Sequence, residues 1–148
     1  MRTDSTENNP TPIQILLVED DQLLRRGLRI LIENHKRYKV CGEAENASVA
    51  AELALTLKPD IALVDLTLKG STGFDLLKEL QRLAPKLPAL VLSLHSEEMY
   101  AASALRAGAK GFLKKEDVMK HLDEALQCIL GGKIWVSELM RRKLPEFL

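Results

Sequence analysis

The chain is poor in several features that usually reveal a protein's surroundings. It has only two cysteines, Cys41 and Cys128, with no paired spacing and no metal-ligand pattern around either. That argues against a disulfide-stapled secreted scaffold and a thiolate metal site, and both thiols are expected to be small buried side chains in a reducing cytoplasm. No apolar run approaches the roughly 20 residues needed to cross a bilayer, and the N-terminus is polar, so nothing suggests insertion or export. An excess of one charge is also missing, because 21 basic residues balance 21 acidic ones. The chain as a whole therefore carries no electrostatic footprint for nucleic acid. What is present is an ordinary globular composition, 46% hydrophobic and 28% charged over 148 residues. That length suits one domain, able to remove roughly 70% of its unfolded surface from water.

Residues 1–12 are polar and contain two prolines, and are expected to form a disordered tail. Ile13–Val18 is nearly all apolar and β-branched, a buried strand that runs into Glu19-Asp20-Asp21. Leu23, Leu24, Leu28, Leu31 and Ile32 then recur at helical spacing, with Asp21 placed to cap the helix. Tyr38–Ala44 reads as a strand near a sheet edge, and Asn46 or Ser48 can open a helix over Ala47–Leu57 that Pro59 stops. A third strand ends at Asp65, and a helix follows from about Phe74 to Leu83. Ala89–Ser93 is a fourth strand, and Ser96 can cap a helix over Glu97–Arg106 that Gly108 ends. Gly111–Lys115 is a short fifth strand, and Glu116–Leu130 a last long helix broken by Gly131-Gly132. Five strand–helix units with short connections predict a single parallel sheet built from right-handed crossovers.

Asp65 ends an apolar run, Ile61–Val64, and opens a loop punctuated by Gly70 and Gly73. In open α/β sheets the functional crevice lies beyond the carboxyl ends of the strands, so a carboxylate there projects into the site. Capping a turn is the alternative role for such an aspartate. The neighbouring strand ends make a coherent set: Glu19 and Asp20, then Asp65, Ser93, and Lys114 with Lys115. Converging carboxylates repel one another unless a cation compensates them. An all-oxygen set with room for water suits Mg²⁺. An aspartate can also attack phosphorus and carry the phosphoryl group covalently. A metal and a lysine supply the positioning and charge neutralisation that phosphoryl transfer needs.

These stretches resemble the receiver domain of two-component response regulators: Ile15–Asp21, Leu63–Gly73, Leu90–Ser93 and Ala107–Lys115, within a similarity running from about Ile13 to Leu130. The resemblance implies a flavodoxin-like (βα)5 fold, a doubly wound five-stranded parallel sheet with helices on both faces, over residues 13–131. By motif, Asp65 resembles the phosphoacceptor, and Glu19 and Asp20 the acidic pair that organises Mg²⁺. Asp65 itself and the Thr67 backbone carbonyl would be further metal ligands. Ser93 resembles the switch hydroxyl and Phe112 the switch aromatic. Counted from Gly108-Ala109 and Phe112, the family's lysine falls on Lys115, with Lys114 on the other face. A sensor histidine kinase is the implied phosphoryl donor, recognised on the first helix around Gln22–Leu28. The implied readout is homodimerisation through the fourth helix, fifth strand and fifth helix or a neighbouring surface, in a cytoplasmic protein with no membrane contact. The domain would catalyse only its own phosphotransfer and dephosphorylation.

Three positions depart from the family pattern. Lys69 stands where proline is usual, so its loop is expected to be less rigid. Phe112 lacks the hydroxyl or imidazole many relatives carry, and Leu94-His95 is bulkier than usual after the switch serine. The bulk at Leu94 predicts slow phosphoryl exchange. His35 and His121 are expected on the surface, and Trp135 is expected to pack a tail against the domain. Ala101, Ala102, Ala104 and Ala107 fit either a docking surface or plain core. Residues 132–148 resemble the linker and short helix of NarL/FixJ-type (LuxR-class) regulators, in which a helix-turn-helix output domain follows; the 16 residues after Gly132 are too few for one. DNA would be reached only through that absent domain. A stand-alone or degenerate receiver that binds proteins without phosphorylation is the alternative. A small hydrolase or phosphatase using Asp65 is a third class, but a second general acid and a substrate pocket are not apparent in the sequence.

Overall fold

The computed structural model describes residues 11–68 and 71–148. Residues 1–10 of the expected tail, and Lys69 with the expectation attached to its loop, lie outside them.

The elements in order are β1 (Ile13–Val18), α1 (Gln22–Glu33), β2 (Tyr38–Ala44), α2 (Ala47–Leu57), β3 (Ile61–Asp65), α3 (Gly73–Leu83), β4 (Ala89–Ser93), α4 (Glu97–Arg106), β5 (Gly111–Lys114), α5 (Val118–Leu130) and α6 (Glu138–Lys143). The five strands form one parallel sheet in the order β2-β1-β3-β4-β5. This is the flavodoxin-like doubly wound order, and its reversal between β1 and β3 opens a crevice at their carboxyl ends.

The apolar runs are explained by the two layers that cover them. Ile15, Leu17, Ile61, Leu63, Leu90 and Leu92 face α1 and α5, packing with Leu28, Ile32, Leu122 and Leu126. Leu16, Val18, Ala62, Val64 and Val91 face the other way and pack with Ala50, Leu76, Leu80, Ala101 and Ala104 of α2, α3 and α4. Every position of β3 and β4 is buried, as a strand covered on both faces requires. Ala101 and Ala104 are thus core, the plainer of the two readings of the alanine-rich helix.

Several local expectations need correction. β5 ends at Lys114, and a 3₁₀ turn over Lys115–Asp117 intervenes before α5 starts at Val118. Ser96 occupies the N-cap position of α4 but makes no side-chain capping bond. Cys41 and Cys128 are half-buried rather than buried. Cys41 lies where the β1–β2 register shifts, Ile15 facing Val40 and Leu16 facing Gly42. The capping aspartate does behave as expected, with Asp21 Oδ1 accepting the Leu23 and Leu24 amides at 3.0 and 3.1 Å.

Beyond α5 the chain turns back along the open edge of β5. Trp135 N–H donates to the Lys110 carbonyl at 3.0 Å, and the Trp135 carbonyl accepts the Phe112 N–H at 3.1 Å, a parallel bridge centred on Gly111. Trp135 packs in the α1/α5 layer, its indole N–H on Glu124 at 2.8 Å, while Val136, Met140 and Leu144 join the opposite layer. The segment therefore wraps the edge from both sides, as expected of Trp135.

At the other edge, the Tyr38 hydroxyl donates to Asp123 and accepts from Gln127 Nε2 at 2.7 Å, tying β2 to α5. Burial, together with the bond to Asp123, pushes this phenol from 10.0 up to about 12. The folded chain keeps its proton where the unfolded chain loses it, so this contribution is present below pH 10 and disappears as pH rises to about 12. Tyr38→Phe is expected to abolish that alkaline loss, as denaturant midpoints followed across the window will report. A slope unchanged in the variant would assign the loss to another group.

Candidate functional site

The carboxyl ends of β1, β3 and β5 converge on a cleft of about 270 Å³ lined by Glu19, Asp20, Asp21, Leu24, Asp65, Thr67, Leu94, His95 and Lys115. Its charge is organised around Lys115. The ammonium lies 2.8 Å from Glu19 Oε1 and 3.2 Å from Asp65 Oδ1, and the Lys115 side chain is only 8% exposed. Glu19 and Asp65 are buried as well. Burial alone would pull the Lys115 ammonium down, but the hydrogen bond to Glu19 and the charges of Asp65 and Glu19 outweigh it and hold its pKa above the usual lysine range. Burial lifts the Glu19 carboxyl to about 7; Lys115 opposes the rise, the Asp65 charge adds to it, and the Asp21 amide opposes it.

The three consecutive acids after β1 have separate tasks. Asp21 turns away to cap α1, while its own N–H donates to Glu19 Oε2 at 3.2 Å. Arg25 reaches back from α1 to the Glu19 carbonyl at 2.7 Å and to Glu43 at 3.1 Å, fixing the strand end from behind. Asp20 is left half-buried at the cleft mouth. Carboxylate oxygens of Glu19, Asp20 and Asp65 lie within 4.8 Å of one another. An all-oxygen set at this spacing fits a hard divalent cation such as Mg²⁺ better than Zn²⁺, which favours nitrogen and sulfur.

Asp65 is oriented by the segment that follows it. Thr67 N–H donates to Asp65 Oδ1 at 3.2 Å. Thr67–Leu68 pairs antiparallel with Ser71–Thr72, and Gly73 N–H closes the turn on the Leu66 carbonyl at 2.8 Å. Two-residue strands carry no periodicity, so this hairpin was invisible in the sequence. Both the Thr67 amide and the Lys115 ammonium engage Asp65 Oδ1.

Ser93 is fully buried at the end of β4, and its Oγ accepts the His95 N–H at 2.9 Å. The His95 Nε2 lies 3.2 Å from Thr67 Oγ1, and its ring packs 5.4 Å from that of Tyr100. His95 thus bridges the β3 and β4 loops at the cleft mouth, beside Leu94, which is 75% exposed. Phe112 is buried in the α2–α4 layer. Lys114 faces away and pairs with Glu116 at 2.6 Å, so one of the two adjacent lysines enters the cleft. Arg25 and His95 were the residues that sequence patterning underrated. Both act through loop geometry, for which their spacing gave no signal.

A family model for the response regulator receiver domain matches residues 15–127. The nitrate/nitrite response regulator protein NarL of Escherichia coli (strain K12) is 34% identical over 141 residues, covering 95% of this chain and 65% of the relative. The transcriptional regulatory protein YdfI of Bacillus subtilis (strain 168) is 31% identical over 133 residues, covering 90% of this chain and 62% of the relative. The chain therefore spans roughly three fifths of the length of these curated relatives. Among solved structures, a LuxR-family two-component response regulator from Aurantimonas sp. SI85-9A1 superposes with a TM-score of 0.84 at 31% identity, over 92% of this chain and 97% of that one.

Proposed function

The chain belongs to the response regulator receiver domain family, in its NarL/LuxR branch, and from that premise we propose that Asp65 is its phosphoacceptor. The observation that carries the reading is one carboxylate oxygen held by the Thr67 amide and the Lys115 ammonium while Glu19 and Asp20 converge beside it. Asp65 Oδ2 attacks phosphorus of a phosphohistidine on a sensor histidine kinase, or of a small acyl phosphate. The new O–P bond forms as the P–N or P–O bond breaks, and the imidazole or acetate leaves with the electron pair. Lys115 neutralises charge that develops on the phosphoryl oxygens, and Ser93 rotates to donate to one of them.

Glu19, Asp20, Asp65 and the Thr67 carbonyl would hold Mg²⁺, which when bound supplies further charge neutralisation. Phe112 is already fully buried, so the aromatic part of the switch would have no inward swing to make. Hydrolysis of the aspartyl phosphate by water returns the domain to its resting form, and Leu94 and His95 restrict access to that water.

In the whole protein we read the domain, residues 13–131, as a cytoplasmic switch for transcription, with residues 132–148 leading toward an output domain. Self-association through α4, β5 and α5 belongs to the same reading. Residues 134–144, which pack on the α4–β5 part of that face, would then share it or leave it.

The test is intact mass after incubation with acetyl phosphate and Mg²⁺. A gain of one phosphoryl group is expected, lost in Asp65→Asn and with a chelator, and shorter-lived in Leu94→Ala. A parent chain that gains no mass would overturn the phosphoacceptor role and favour a protein-binding module.

A further inference from the structure

The β4–α4 loop that carries Ser93 is tied, four residues later, to the C-terminal segment. Glu97 opens α4, where Ser96 provides no side-chain cap. The Glu97 carboxylate instead faces Ser137: Oε2 accepts the Ser137 N–H at 3.0 Å, and Oε1 accepts its hydroxyl at 2.5 Å. Ser137 Oγ in turn caps α6, accepting the Met140 N–H at 3.3 Å. The start of α4 is thus pinned by another segment rather than by its own cap. Lys143 lies 3.2 Å from Glu98, an exposed pair, and Arg106 stacks over the half-buried Phe147 at 5.8 Å, contacts that follow the same segment along α4. On its other flank the segment hangs on β5 through the amides of Trp135 and Phe112.

We propose that the Ser137–Glu97 pair is a latch through which rearrangement at Asp65 reaches the C-terminal segment. The proposal rests on the phosphoacceptor reading above. With the latch closed, residues 134–144 are held across β5 and α4. When Ser93 turns toward a phosphoryl group, the loop it shares with Glu97 shifts, the paired bonds to Ser137 are lost, and the segment lifts from the β5 edge. A charge-assisted pair of hydrogen bonds suits this role, since it is strong when aligned and depends steeply on geometry.

The test compares Ser137→Asp with Ser137→Asn. Both residues are good N-caps, so α6 keeps its start. The aspartate places a carboxylate against Glu97, whereas the asparagine amide can still donate to it. Amide hydrogen exchange of Phe112, Trp135 and Met140 is expected to run about tenfold faster in Ser137→Asp than in Ser137→Asn, which should stay near the parent. Acetyl phosphate with Mg²⁺ should move the parent toward the Ser137→Asp pattern and add little to that variant. Equal exchange in the two variants would overturn the latch. A parent whose mass shows full phosphorylation while these amides remain protected would overturn the coupling and leave Asp65 as phosphoacceptor. A parent that gains no mass would overturn both.

Discussion

Gly73→Ala is expected to destabilise the domain by about 3 kcal/mol or more and to abolish phosphoryl uptake, although it adds a single methyl group. A Cβ at this position would lie 2.6 Å from the Asp65 carbonyl oxygen, 2.7 Å from Leu66 Cα and 2.9 Å from the Leu66 carbonyl oxygen. All three are backbone atoms, so no rotamer change relieves the overlap. The strand that ends in Asp65 and the first turn of α3 must separate. That separation breaks the Gly73 N–H bond to Leu66 and moves the carboxylate relative to Lys115. Gly27 in α1 provides the contrast, since a Cβ there meets nothing within 4 Å. Gly27→Ala should therefore stabilise by up to about 1 kcal/mol. Urea midpoints of the two variants, read from Trp135 fluorescence beside intact mass after acetyl phosphate, decide the matter. A Gly73→Ala chain with parent-like midpoint and uptake would mean that the turn yields at little cost.

The second large effect is expected at Lys115. Lys115→Ala removes the cation between Glu19 and Asp65 and leaves two buried carboxylates facing each other. Truncating one partner of such a pair leaves the other charge unpaired, which costs about 2–3 kcal/mol at a cleft that water can reach. A divalent cation can supply the missing charge, so Mg²⁺ should restore more stability to the variant than it adds to the parent. Phosphoryl uptake should not recover with it. In the proposed mechanism the ammonium would neutralise the transferring group itself, and losing one such contact typically slows a step on the order of 100-fold. Denaturant midpoints with and without Mg²⁺ separate the two roles. If Mg²⁺ stabilised both proteins equally, the site would not be organised by competition between lysine and metal.

Much of this is legible in the amino-acid sequence. Ile13–Val18 and Ala89–Ser93 are bounded as their apolar runs suggested, because a strand covered on both faces stays apolar until the crevice at its carboxyl end, where buried polar groups such as Ser93 begin. The same property exposed the site: Glu19, Asp65 and Lys115 stand where apolar runs give way to charge, and the fold gathers those ends at one crevice. What the pattern missed depends on groups far apart in the chain. Ser96 has a capping residue's chemistry and makes no cap, while its neighbour Glu97 is held by Ser137, 40 residues away. The end of β5 shifted by one residue because Lys115 must bend inward to reach Glu19, and a 3₁₀ turn achieves this.

The parallel bridge at Gly111 also bears on how the chain is made. β5 is the last of this sheet's five strands to be made, and until residues 134–136 follow it the sheet offers a bare row of amides and carbonyls. A released chain truncated near Leu130 would carry all five strands with that edge unguarded, in the crowded setting where partly built sheets find one another. Addition of the Trp135 segment therefore closes this sheet edge, turning an adhesive intermediate into a finished domain. Polypeptides truncated ahead of Ile134 should accumulate as aggregates rather than as soluble monomers.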